Sequence, residues 1–100
     1  MKNTTTTPKA IDIIKRGGAR PSEPFDPEKL HASVRAAILS TRTPVGEANS
    51  TALVVTNAVI IWLSAKPEVT SHDLRRIAGS HLEKYHPEAA YFYTQHQHII

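Results

Sequence analysis

The sequence predicts a small α+β domain that is mostly helical, a β-hairpin followed by four helices. Three observations carry this expectation. Two short β-prone segments, Ile11 to Arg16 and Glu23 to Phe25, flank the glycine pair Gly17-Gly18. Two later segments keep a 3–4 apolar spacing behind helix-starting residues. Nearly twenty residues from Glu47 to Ala65 run without proline or glycine, too long for one strand. The chain has 100 residues, 40% of them apolar and 21% charged, which is the size and composition of one globular domain.

Each element has a local reason. Residues 1–10, with the run Thr4 to Thr7 and Pro8, read as a solvated tail, and the folded domain is expected over 11–100. Ile11 to Arg16 alternates in a way that suits a short strand, and Pro24 confines the return strand to an edge. Asp26-Pro27-Glu28 is a helix start, because aspartate caps exposed amides and proline at the first position loses no hydrogen bond. Leu30, Val34, Ala37 and Ile38 then form one apolar stripe, fading by Thr41 to Gly46.

Glu47 to Ala65 is rich in β-branched residues, yet its length favours a central helix with neighbours on most sides. Trp62 shares a face with Ala52, Val55 and Val59 and is expected in the core. Glu68 to Thr70 is short enough to add a strand to the hairpin. Thr70 or Ser71 caps the next helix, whose stripe is Leu74, Ile77, Ala78, His81, Leu82 and Tyr85, with Gly79 its weak link. Pro87 opens a last helix carrying Ala90, Tyr93, Gln97 and Ile100.

Several chemistries are excluded. Without cysteine there are no disulfides, thiolate zinc sites or iron–sulfur clusters. No nucleophile elbow, zinc-protease helix or phosphate-binding Gly-Lys loop is present, so no catalytic residue is assigned. His96 and His98 stand two apart with no carboxylate close by in sequence, and His81 sits on an apolar stripe, so no metal site is assigned either. The longest apolar run, Ala58 to Leu63, is far below the roughly 20 residues that span a bilayer. Met1 to Thr7 has no apolar run behind it, so no signal peptide and a cytoplasmic location are expected.

The informative segment is Ile13-Ile14-Lys15-Arg16-Gly17-Gly18 followed by Glu23-Pro24-Phe25-Asp26-Pro27-Glu28-Lys29-Leu30. Adjacent Lys15 and Arg16 before two glycines can close over a polyphosphate, one as a point charge and the other as a fork. Lys29 lies in the first turn of a helix, whose dipole already favours an anion and disfavours a lysine. A solvated basic hairpin without ligand is the plain alternative.

The segment resembles the start of the ATP-cone domain, roughly Val-x-Lys-Arg-Asp-Gly followed by Glu-x-Phe-Asp-x-x-Lys-Ile. Val69-Thr70-Ser71-His72-Asp73-Leu74 is similar to the family's turn into its third helix, and Ala90-x-x-Tyr93 to its Ala-x-x-Tyr. The likeness covers about Ile11 to Gln97. It implies a four-helix bundle capped by a small three-stranded sheet, a hairpin lid. It also implies a regulatory module that binds ATP or dATP, with Mg²⁺, and that acts without catalysis. The implied partners are an adenine nucleotide and either ribonucleotide reductase or a further copy of the chain.

Carried over, Lys15 and Arg16 meet the phosphates and Ile13 lines the nucleotide. Glu23 and Asp26 approach the adenine edge, and Phe25 and Leu30 support the base. Lys29, Ser71 and Arg75 sit near the ribose and phosphates. The chain departs from the pattern in three places. Gly17 replaces an Asp or Asn, the loop from Gly18 to Glu23 is two residues longer, and Gln95, His96 and Gln97 stand where members often carry Arg or Lys. Gly17 and the last helix support a second reading, a degenerate cone serving as a helical protein-interaction module, whereas the even loop insertion keeps the strand register. A third, a basic nucleic-acid binder using Lys15, Arg16, Arg20, Arg35 and Arg42, requires a steep salt dependence; without a DNA-reading module, direct nucleic-acid binding is not expected.

Overall fold

Helix α1 (Pro27–Leu39) starts where its cap chemistry dictates. Asp26 Oδ1 accepts from the Glu28 and Lys29 amides at 3.0 and 3.4 Å, and Pro27 occupies the first turn. In the computed structural model, which describes residues 12–14, 23–66 and 68–95, three further helices follow: α2 (Val45–Leu63), α3 (Ser71–Glu83) and α4 (Pro87–Gln95). Three very short strands accompany them, β1 (Asp12–Ile14), β2 (Glu23–Pro24) and β3 (Val69–Thr70). The expected tail over residues 1–10 and the expectations for Ile11, Lys15 to Ser22 and His96 to Ile100 lie outside the described residues.

The core is helical. Leu30, Val34, Ala37 and Ile38 of α1 are all buried, the stripe their spacing predicts. They meet Ala48, Ala52, Val55, Val59 and Leu63 of α2, Leu74, Ala78 and Leu82 of α3, and Ala89, Ala90 and Tyr93 of α4. The helices pack in chain order, α1 on α2, α2 on α3 and α3 on α4, with α1 also touching α4. An Arg35 Nε bond to Asn49 Oδ1 ties α1 to α2.

At the far end His86 clamps two connections. Its Nε2 lies 2.9 Å from both Thr41 Oγ1 and Thr43 Oγ1, and its Nδ1 accepts from the Ala89 amide at 3.3 Å in the first turn of α4. A ring nitrogen that accepts there carries no proton, so the neutral ring with its hydrogen on Nε2 fits this clamp. Between the two threonines Arg42 holds a left-handed backbone with φ 68°.

The expected class is corrected. About three quarters of the described residues are helical, and no three-stranded lid is seen. Backbone pairing orders the strands β2-β1-β3, but each runs only two or three residues. Such a ladder fragment has no face wide enough to cover a bundle. The molecule is a mostly helical domain.

Three further expectations change. α2 is not surrounded: Leu53, Val54 and Ile61 are 53, 44 and 71% exposed, because α1 and α3 cover only one side of it. Trp62 is half-buried at the rim of the core, with Lys66 Nζ 5.3 Å from its ring centre, a cation–π contact in place of deep burial. Tyr85, expected on the buried stripe of α3, lies past the end of that helix and is 57% exposed.

α3 has a reciprocal cap. Thr70 Oγ1 accepts from the Asp73 amide at 3.0 Å, and the Thr70 amide donates to Asp73 Oδ2 at 3.4 Å. These two bonds to Thr70, aided by Arg76 and His72, hold the Asp73 carboxyl below its ordinary 3.8 despite some desolvation. A carboxyl lowered on folding stabilises the fold above its unfolded pKa, and that contribution is lost as pH falls through the folded value. Stability should therefore fall on acidification below about pH 4, and Asp73→Asn should flatten that fall. Urea midpoints measured against pH check this; equal slopes in the two proteins would contradict it.

Candidate functional site

One strand pairs with both the chain that enters α1 and the chain that enters α3, at its two opposite ends. β1 runs antiparallel to β2, Asp12 facing Pro24 and Ile13 facing Glu23, and parallel to β3, Ile13 facing Val69 and Ile14 facing Thr70. The N-terminal end of β1 therefore lies beside the chain that enters α1. Its C-terminal end pairs with Thr70, the cap of α3. Lys15 and Arg16 follow Ile14 directly in the chain.

Of the ten residues expected to hold a nucleotide, Lys15 and Arg16 lie outside the described residues. Ile13 and Glu23 face each other across the β1–β2 ladder. Phe25 is half-buried against the core just before α1. Asp26 is exposed; both its amide bonds use Oδ1, so Oδ2 points to neither. Lys29 lies exposed in the first turn of α1, and Ser71 opens α3 half-buried.

Leu30 stands apart from the surface. It is 3% exposed and belongs to the core, so it supports the α1 turn from beneath and offers little area to a ligand. Its carbonyl accepts from Ser33 Oγ at 2.8 Å.

Ser33 opens a polar cluster inside the bundle, in which Ser33 and Tyr93 join Arg75, a residue already expected near the ribose and phosphates. Its Oγ lies 3.3 Å from Tyr93 Oη. Since the Ser33 hydroxyl donates to Leu30, the phenol is the donor in this second bond. Tyr93 is fully buried on α4, and that burial raises its phenol above 10.0, while the Ser33 bond and the positive charge of Arg75 act the other way. Arg75 reaches this neighbourhood from α3, one turn past Ser71. Its Nη1 is buried with no hydrogen-bond partner among the described residues.

Sequence had only partial signals for this cluster. Tyr93 was visible as an aromatic on the α4 stripe. Ser33 was legible only as a polar residue adjoining an apolar face. An unsatisfied guanidinium donor is costly in an interior and rarely left without purpose.

Among the described residues no group of three His, Asp or Glu converges on a metal-sized site. Among them, too, no helix is long and apolar enough to cross a membrane. No family model matches the chain, and neither a curated protein nor a solved structure is similar to it.

Proposed function

We propose that the chain is a free-standing ATP-cone-like regulatory domain that binds ATP or dATP and does not hydrolyse it. The observation that carries the reading is the double pairing of β1. Its two ends pair with the chain entering α1 and with Thr70, the cap of α3, and the basic pair Lys15-Arg16 follows Ile14 in sequence at the α3 end. Helix N-termini favour anions through their unpaired amides and positive dipole ends. The partnerless Nη1 of Arg75 adds a donor that a phosphate or ribose oxygen could satisfy. Asp26 Oδ2 and Glu23 supply acceptors suited to the amino group of adenine.

The second reading, a cone that has lost nucleotide binding, draws on two observations. Leu30 is too deeply buried to support a base, and Asp26 already spends one oxygen on the α1 cap. Calorimetry separates the two. The nucleotide reading predicts saturable binding of Mg²⁺-ATP that Lys15→Ala weakens by roughly tenfold or more, the effect of one lost charge-assisted contact. Equal affinity in Lys15→Ala removes Lys15 from the site, and absence of heat with wild type at millimolar ATP favours the interaction module.

A further inference from the structure

The outer face of α2 carries aliphatic side chains where a lone domain would carry charge. Leu53, Val54 and Ile61 are 53, 44 and 71% exposed, with half-buried Ile60 beside them. No ionisable residue occurs between Glu47 and Lys66, although the chain as a whole carries a net charge of +3. At 100° per residue these four side chains share a stripe roughly a third of the circumference wide, centred on exposed Asn57.

The stripe is a palindrome. Leu53 and Val54 precede Asn57 by four and three residues, and Ile60 and Ile61 follow it by three and four. Ser50 and Ser64 stand seven residues to either side, small enough to let another helix approach. Self-complementarity of this kind is what a two-fold interface between identical chains demands, because each residue must meet its counterpart across the axis.

We infer that α2 pairs antiparallel with α2 of a second copy, with the two-fold axis at Asn57. That register sets Leu53 against Ile61 of the other copy and Val54 against its Ile60. The two Asn57 amides face each other, each able to donate and accept, a polar contact of the sort that fixes helix register. Glu47 of each copy approaches Lys66, just past the end of the other α2, and the two helix dipoles oppose.

Beside the stripe, a groove of about 260 Å³ between α1 and α2 runs along Leu53, Thr56 and Ile60 to His31. It gives the second helix a flank to seat against. Thr56 Oγ1, buried there without a hydrogen-bond partner among the described residues, marks this flank as incomplete. The inference does not rest on nucleotide binding.

Sedimentation equilibrium of the full chain without nucleotide tests it. Wild type should form a dimer at roughly 100 µM, as expected of a small interface. Leu53→Glu and Ile61→Lys, both at exposed positions, should fold by circular dichroism. Each should weaken dimerisation roughly thirtyfold or more by burying an uncompensated charge against an aliphatic partner. Mixed in equal amounts they should restore a dimer, because the carboxylate of Leu53→Glu then faces the ammonium of Ile61→Lys while the second contact stays apolar. A monomeric wild type overturns the proposal and leaves the face to a different protein. So does a dimer indifferent to either substitution, or a mixture that stays monomeric.

Discussion

Tyr93→Ala should cost about 3–5 kcal/mol, the largest loss expected from a single truncation in this domain. Among the described residues Tyr93 is the largest fully buried side chain, and it sits where α4 meets α1 and α3. Domains of this size have only about 5–15 kcal/mol to lose, so the variant should melt near ambient temperature or fail to fold. Tyr93→Phe separates packing from hydrogen bonding. It keeps the ring and removes only the donor to Ser33, at about 1 kcal/mol. The raised phenol pKa adds a sign. An unfolded tyrosine ionises near 10 while the buried one resists, so wild-type stability should fall as pH rises past 10 and Tyr93→Phe should lose that dependence. Urea unfolding of both variants checks these outcomes; a Tyr93→Ala protein as stable as Tyr93→Phe would contradict the core assignment.

Gly79→Val should be the second largest, at about 3 kcal/mol. A Cβ placed on Gly79 comes 2.7 Å from Thr94 Cγ2, well inside contact distance. Thr94 cannot readily turn away, because its Oγ1 bonds the Ala90 and Tyr91 carbonyls at 3.1 Å each. α4 must then shift off α3. Gly46 gives the contrast: a Cβ there meets nothing within 4 Å, so Gly46→Ala should leave stability level or raise it by up to about 1 kcal/mol. Thermal melts of the two variants check the pair. A harmless Gly79→Val would mean that α3 and α4 do not approach this closely.

Much of the helical frame was legible because its causes are local. Asp26-Pro27 and Thr70 with Asp73 announce their helices through cap chemistry, and the α1 stripe follows from spacing alone. Gly79 reads as a weak helix residue in sequence; only the packing of α4 explains a glycine there. For α2 the pattern misleads. A helix without charges reads as surrounded, and nothing local distinguishes a core neighbour from an absent one. Trp62 sits on the same apparent stripe, yet Lys66 draws it to the rim. The hairpin signals were genuine β propensity, but among the described residues each strand is only two or three residues long and no three-stranded lid is seen. In the candidate site, the residues near the helix starts were visible through their charge, whereas Ser33 and Tyr93 depend on contacts sixty positions apart.

Binding of an adenine triphosphate to the native fold, as proposed above, has a direct thermodynamic signature. A ligand bound only by the native state adds about 2.7 kcal/mol at a hundredfold excess over Kd. In a domain near 100 residues that raises Tm by about 10 °C or more. The measurement is the thermal midpoint of the full chain with and without millimolar Mg²⁺-ATP, with GTP as the comparison. The proposed site should give the full shift with ATP and a smaller one with GTP, because a ring carbonyl suits carboxylate acceptors such as the proposed Glu23 and Asp26 less well than adenine's amino group. No shift with ATP, while the unliganded protein melts cooperatively, would contradict it. Equal shifts with every triphosphate would reduce the site to a general anion site.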